Sequence, residues 1–388
     1  MKDDFENKID DLFDVKNKNT RKVILKAKLK SIGIFAIIIA IISSILYMVA
    51  TKVVIKNIDA KVQTTINGID LKLLDKKSSV AEDIEKEYEI MHPNRYLGQL
   101  AYNKGFLSAN LKYDTYKVIG QNVVATEPIE REFNLKENLI TEREQEAHVN
   151  ILGKGVSTIT PESLHDQLKE VDFFNSLGQR KMMFFYPFSD YKDLYRNDLQ
   201  KLDEVDNKKI AEVALSFDKY YSIEEVNGMI PKGVDITWYW VDTLSDEQKK
   251  NIVKSDESDT KNIREGYNGT RKDGLFRRVV SEDSAIGIKA IDLNGYKLDK
   301  PVDKFVESLY RNNYSKNELN AIKSDEVNYL KKELNIVQEN DSNSALKYDS
   351  KVIKTGGIVV TGSVDQLKVL KNNPHIKASI FGVIADKY

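Results

Sequence analysis

From Ser31 to Thr51 the chain reads SIGIFAIIIAIISSILYMVAT, without one charged side chain. A helix of about 20 residues rises roughly 30 Å, the thickness of a bilayer's hydrocarbon core, so this stretch predicts a transmembrane helix. Its Ile, Leu, Val and Phe side chains together favour insertion by roughly 5 kcal/mol. Cleaved signal peptides have shorter apolar cores, of about 7–15 residues, so the segment reads as a retained anchor. Lys16, Lys18, Arg21, Lys22, Lys26, Lys28 and Lys30 precede it with no acid among them, whereas only Lys52, Lys56 and Lys61 follow it closely, mixed with Asp59. That asymmetry predicts a cytoplasmic N-terminus, with residues 52–388 on the extracellular side.

Ahead of the basic run, Phe5, Ile9, Leu12 and Phe13 fall at i, i+4, i+7 and i+8, one stripe of an α-helix, and Asp10 and Asp11 sit among further acids on the other faces. So short a helix is marginal alone in water. The anionic inner leaflet repels its acidic face, so the stripe predicts a protein partner with an apolar groove and a basic rim. An acidic, solvated tail leading into a stop-transfer patch accounts for much of the same sequence.

Beyond the span, Val53 to Leu74 alternates apolar and polar residues and predicts strands leaving the membrane. Ser79 is placed to cap a short helix through Tyr88, which His92-Pro93-Asn94 breaks, and Leu100 to Val124 predicts strands again. Asn134 to Glu146 reads as a charged helix or linker, with a soft boundary near Gly153–Gly155. Then a strand–helix–strand pattern recurs three times: VSTIT, PESLHDQLKEV and KMMFFYPF (156–188); IAEVALSF, SIEEVNGMI and VDITWYWVD (210–242); GIVVTGS, VDQLKVLKN and IKASIFGVIAD (357–386). Between the last two lie a polar stretch (245–273), a strand at 285–291, and helices near 302–312 and 315–334. The fold class expected is α+β, a single N-terminal transmembrane helix followed by a large extracytoplasmic region with sheet on one side and helices on the other. The expected division is residues 1–30 tail, 31–51 span, 52–153 membrane-proximal region and 154–388 α+β domain.

Consecutive Trp238, Tyr239 and Trp240 in a strand send Tyr239 to the face opposite the two tryptophans, which predicts a sheet covered on both sides. Met182–Phe188 reads as a strand buried on both faces. Gly356, Gly357 and Gly362 read as turn or bulge positions, and Glu224-Glu225 as solvated helix surface.

The 388 residues contain 59 Lys plus Arg against 60 Asp plus Glu, so net charge points to no polyanionic partner, and the basic patches are interleaved with acids, against nucleic-acid binding. There is no cysteine, which excludes disulfides, thiol nucleophiles and Cys-ligated zinc. His92, His148, His165 and His375 show no ligand spacing, and no nucleophile elbow, P-loop or dinucleotide fingerprint is present. The reading is therefore of a non-enzyme with no catalytic residues, no metal and no cofactor.

The tail DDFENKIDDLF, the approach RKVILKAKLKS, the stretch YLGQLAYNKGFLSANLKYDTYKVIG (96–120), AEVALSFDKYYSIEEVNGMIPKGVDITWYWVD (211–242) and the terminal GIVVTGSVDQLKVLKNNPHIKASIFGVIADKY (357–388) together resemble the membrane-anchored anti-sigma factors of Gram-positive bacteria with paired sigma factor regulator N- and C-terminal regions. The resemblance covers most of the chain. It implies that the tail holds an extracytoplasmic-function sigma factor inactive at the bilayer while the outer domain senses the envelope. Many anti-sigma factors use a zinc-binding cytoplasmic domain, but this chain has no cysteine and no histidine in its tail, so inhibition would rest on Phe5, Ile9, Leu12, Phe13 and their acidic neighbours Asp10 and Asp11. The tail offers little surface, which makes a second membrane subunit a further candidate partner. The competing expectation is an anchored envelope-binding protein without a transcriptional role.

Overall fold

The computed structural model describes residues 3–134, 140–142, 149–150, 155–156, 163–165, 168–169, 171–265, 274–311, 321–338 and 346–387, and of residues 3–19, 134, 140–142, 149–150, 155–156, 263–265 and 321–322 the backbone alone. The chain divides into two compact units, Met1–Lys72 and Leu73–Tyr388. It is α+β, with one candidate membrane-spanning helix near the N-terminus.

The first unit consists of helix α1 (Asp3–Ile90), whose final turns belong to the second. Ile32, Phe35, Ile38, Ile42 and Ile45 are all exposed on it. An apolar sleeve of this size on a soluble surface would drive association, and a lipid environment removes that cost. The strands expected over Val53–Leu74 do not form, because the segment is helical. Val54, Ile58, Val62, Ile66, Ile69 and Leu73 recur at steps of four and three, a helical stripe that the apparent alternation conceals. The hydroxyls that interrupt it are satisfied within the helix: Thr64 donates to the Ala60 carbonyl at 2.9 Å and Thr65 to that of Lys61 at 2.8 Å. Ser79 lies inside α1 and caps nothing, since no break precedes it.

The second unit begins where α1 stops. His92 and Asn94, on either side of Pro93, adopt φ of 60° and 54°, left-handed values that end the helix as the sequence predicts. Strands β1 (Arg95–Lys104), β2 (Ser108–Ile119), β3 (Asn122–Asn134) and β4 (Ile140–Glu142) form an antiparallel meander. The helix or linker expected at Asn134–Glu146 is thus an edge strand in its described part. Short β5 (Val149–Asn150) pairs with β6 (Gly155–Val156), and the boundary expected at Gly153 falls outside the described residues.

The helix expected over 161–171 is corrected: Ser163–His165 is strand β7, and it pairs with β11 (Phe276–Arg278). A partner distant in sequence satisfies its backbone and buries Leu164 completely, which outweighs local helical spacing. In the next run only Met183–Phe184 is strand, β8, paired with β12 (Val280–Ser281), although Met182–Phe185 is buried throughout as expected.

The largest sheet has five antiparallel strands. Along it lie β13 (Gly287–Lys289), β10 (Asp235–Val241), β16 (Thr355–Ser363), β9 (Lys209–Tyr221) and β17 (Ile376–Asp386). Helices α2 (Ile223–Met229), α4 (Pro301–Arg311), α5 (Ala321–Glu333) and α6 (Val364–Lys368) pack on one face around Val213, Leu215, Tyr239, Ile358 and Phe381. Trp238, Trp240, Ala214 and Val359 point the other way and meet Met182, Phe184 and Val280. The opposed placement of Tyr239 and the two tryptophans is the one the strand period requires. Gly357 lies at a bulge between β16 and β9, where a Cβ would approach the Leu215 carbonyl oxygen to 2.3 Å. Ser222 and Glu225 close a capping box on α2, a duty for Glu225 beyond solvation.

The polar stretch after β10 contains a helix, α3 (Asp246–Glu265), opened by reciprocal bonds between Ser245 and Gln248. Its buried side carries Asp256 and Thr260 instead of aliphatic residues, and Arg278 pairs with Asp256 at 2.6 Å, so hydrophobic periodicity could not reveal it. Beyond α5, β14 (Val337–Gln338) pairs with β15 (Leu346–Lys347).

Candidate functional site

Two places along α1 carry the functional argument: its beginning, and its end within the second unit. Phe5, Ile9, Asp10, Asp11, Leu12 and Phe13 lie on helical backbone, in keeping with the expected helix, and their side chains are outside the described residues.

At the other end, Leu73, Val80, Ile84, Tyr88 and Ile90 of α1 are buried. Tyr113 of β2 donates its hydroxyl to Glu85 at 2.7 Å. The Glu87 carboxylate lies 2.8 Å from His92 Nε2 and 3.2 Å from an Arg131 guanidinium nitrogen. Burial pushes the Glu87 pKa up, but the His92 hydrogen bond and the charges of His92, Arg131 and Arg95 outweigh it and hold the group below the usual carboxylate range. The helix end is therefore tied to its own stop signal and to β3.

The chain leaving α1 enters a buried network of charges. Asn94 donates to the Val118 carbonyl and to Glu212, each at 2.8 Å. Lys117 of β2 lies 2.9 Å from Glu212 of β9 and 3.1 Å from Glu282, with side-chain exposures of 1%, 0% and 4% for the three. Burial disfavours the Lys117 charge, yet the two carboxylates keep its pKa above the ordinary value. One cation shared by two acids leaves a deficit: burial and the neighbouring Glu282 raise the Glu212 pKa against the pull of Lys117 and Asn94. Glu212 fits because position 382 is glycine, where a Cβ would lie 2.3 Å from its Oε2. Alongside, Arg95 pairs with Asp283 at 3.2 Å and donates to the Glu127 carbonyl at 3.2 Å, and Lys181 reaches Asp283 at 2.8 Å. The two cations drive the Asp283 pKa far down in spite of burial.

Glu282 and Asp283 thus clamp the exit of α1 and the strand β2 to the core of the C-terminal region. Met91, the residue after α1, also forms an isolated antiparallel bridge with Ile286. Such an assembly holds one arrangement firmly, since removing any member strands a partner away from water. Sequence inspection singled out none of its charged members. The available signal was a lone charge within an apolar strand, Glu212 in IAEVALSF and Lys117 in YKVI.

The sign of the Glu87 shift gives a testable pH dependence. A carboxyl whose folded pKa is depressed adds stability above its unfolded pKa, about 4.3, and that contribution is lost as pH falls below it. The thermal midpoint of the purified protein in detergent, followed by tryptophan fluorescence, is expected to keep the Glu87 contribution from pH 7 down to about pH 5 and to lose it as pH falls on towards about pH 2. Glu87→Gln should start lower at pH 7 and drop less. An equal drop in both proteins would remove Glu87 from the account.

Among the described residues no group of three or more His, Asp or Glu is placed to hold a metal ion. Residues 202–383 match the family model described as Sigma factor regulator C-terminal. The match opens just before β9 and closes inside β17, so it takes in all five strands of the main sheet, Glu212, Glu282 and Asp283. No curated protein and no solved structure matches the chain.

Proposed function

We propose, from the match of residues 202–383 to the family model described as Sigma factor regulator C-terminal, that the chain is an anti-sigma factor of the cell membrane. Residues 31–51 span the bilayer, residues 1–30 lie in the cytoplasm, and residues 52–388 lie outside, with 52–153 a membrane-proximal region and 154–388 the sensing domain. Phe5, Ile9, Leu12 and Phe13 fill an apolar groove on an extracytoplasmic-function sigma factor, with Asp10 and Asp11 meeting its basic rim. A second membrane subunit supplies surface that the tail lacks. Envelope signals reach the tail through the charged clamp on the end of α1.

The observation that carries this reading is the sigma factor regulator match on the same chain as an exposed apolar helix. The basic residues ahead of that helix support the orientation. The test has two parts. Protease added to intact cells should remove an epitope at residue 388 and spare one at residue 1. The intact protein, purified from membranes, should bring a sigma factor with it. A protein whose C-terminus resists protease, or one that brings down no sigma factor, would end the proposal. Deleting residues 2–15 should raise transcription from sigma-dependent promoters, and an unchanged transcript profile would favour an anchored envelope-binding protein instead.

A further inference from the structure

A cavity of about 440 Å³ opens between α3, α5 and the segment from Arg278 to Ser284. That volume lies within the roughly 300–1,000 Å³ typical of small-molecule sites. Leu244, Ile252, Val279 and Val280 give it apolar walls. The charged groups in the lining already have partners of opposite charge. Arg278 is held by Asp256 at 2.6 Å and Asp259 at 3.1 Å, while Glu326 takes Lys323 at 3.2 Å and the Thr243 hydroxyl at 2.6 Å. An ionic ligand would have to break these pairs.

The polar groups left to a ligand are uncharged. The Tyr186 hydroxyl has no hydrogen-bond partner among the described residues, and burial pushes its pKa up, so it stays a neutral donor. Gln248 uses its carbonyl oxygen on the Ser245 amide at 2.8 Å, which leaves its NH₂ available, and the Asn251 amide, also in the lining, has no partner among the described residues. Amide and phenol donors beside aliphatic walls suit a molecule with hydroxyls, amide groups and methyl groups, and without net charge.

The cavity adjoins the clamp on α1. Ser284 lines it, and the preceding two residues are Asp283 and Glu282, which hold Arg95 and Lys117. The Ser284 amide closes a turn on the Ser281 carbonyl at 3.1 Å, and Ile286, just beyond, bridges to Met91. One short segment therefore has one side in the cavity and the other on the end of α1.

We propose that this cavity binds a neutral N-acetylated sugar of one or two rings, and that occupancy is transmitted through residues 280–286 to the end of α1. The inference rests on the reading that this unit faces the cell envelope. The acetamido group supplies the amide and methyl, and the ring hydroxyls meet Tyr186, Gln248 and Asn251.

The test titrates the full chain, in lipid nanodiscs, with N,N′-diacetylchitobiose. The protein's two tryptophans, Trp238 and Trp240, report directly, because Trp240 borders a smaller cavity that shares Tyr186, Leu244 and Ser284 with the larger one. A saturable fluorescence change is expected. Tyr186→Phe, which removes a single hydrogen bond, should raise Kd about tenfold. Ile252→Phe, which fills the cavity from α3, should abolish the change. Cellobiose, which lacks the acetamido groups, should bind more weakly. At saturation, amide hydrogen exchange in peptides spanning residues 84–96 should change. A flat titration, equal Kd values in all three proteins, or tighter binding of glucuronic acid would overturn the site, and unaltered exchange at saturation would overturn the transmission. Sigma factor capture is scored separately: capture with a flat titration sinks the site alone, and binding without capture sinks the anti-sigma reading alone.

Discussion

Lys117→Met is expected to destabilise the C-terminal unit by about 3–5 kcal/mol, the usual consequence of removing one member of a buried ionic cluster. Methionine approximates the lysine stem, so the loss is electrostatic and leaves packing nearly intact. It strands Glu212 and Glu282, whose side chains are 0% and 4% exposed, without their shared cation. The variant's stability should fall as pH rises. With Lys117 gone, the folded Glu212 carboxyl lies further above its unfolded value, so the folded state holds a proton that the unfolded state has released, and stability declines as pH passes upward through that interval. Lys117→Met combined with Glu212→Gln should recover part of the loss and most of the pH dependence. Denaturant unfolding between pH 5 and pH 8, followed by tryptophan fluorescence, measures all of these. If Lys117→Met costs under about 1 kcal/mol, as a solvent-exposed pair would, the network is not the clamp described above.

Leu12→Asp combined with Phe13→Asp is expected to weaken sigma factor capture at least about thirtyfold, the effect of losing hot-spot contacts worth 2 kcal/mol or more. A carboxylate driven into an apolar groove has to be desolvated without a partner, so the change adds a penalty as well as removing contact. Asp10→Asn with Asp11→Asn should act differently. Loss of rim charge slows association and reduces its salt dependence, with a smaller change in the dissociation rate. Binding kinetics between the membrane-embedded protein and the co-purifying sigma factor, at two salt concentrations, separate the two effects. Unchanged capture by the first variant would remove the tail's apolar stripe from the interaction. The C-terminal unit should be unaffected, and its unfolding curve serves as the control.

Burial of charge explains why some features of this chain were legible before the fold and others were not. The apolar run at residues 31–51 and the stripe through Phe5, Ile9, Leu12 and Phe13 depend on local composition and on the 3.6-residue period, and both properties are written in contiguous sequence. The same holds for the strand–helix–strand passages 210–242 and 357–386, in which Ser222 and Ser363 cap short helices between strongly apolar strands. The clamp left only a faint local trace, a lone charge within an apolar run at Glu212 and at Lys117, and nothing in contiguous sequence says that the two meet. Lys117, Glu212 and Glu282 are separated by up to 165 residues, and only the folded sheet brings them together.

By itself the sequence determined that one helix near the N-terminus is long and apolar enough to cross a bilayer and that the fold is α+β, because those outcomes follow from local composition and hydrophobic periodicity over a few turns or strands. Tertiary structure alone decided that Ser163–His165 pairs as a strand with Phe276–Arg278, and that a polar stretch becomes α3 by burying Asp256 against Arg278. In each of those cases the decisive energy comes from partners far along the chain, and a helix or strand whose stabilising contacts are non-local cannot be recognised from its own residues.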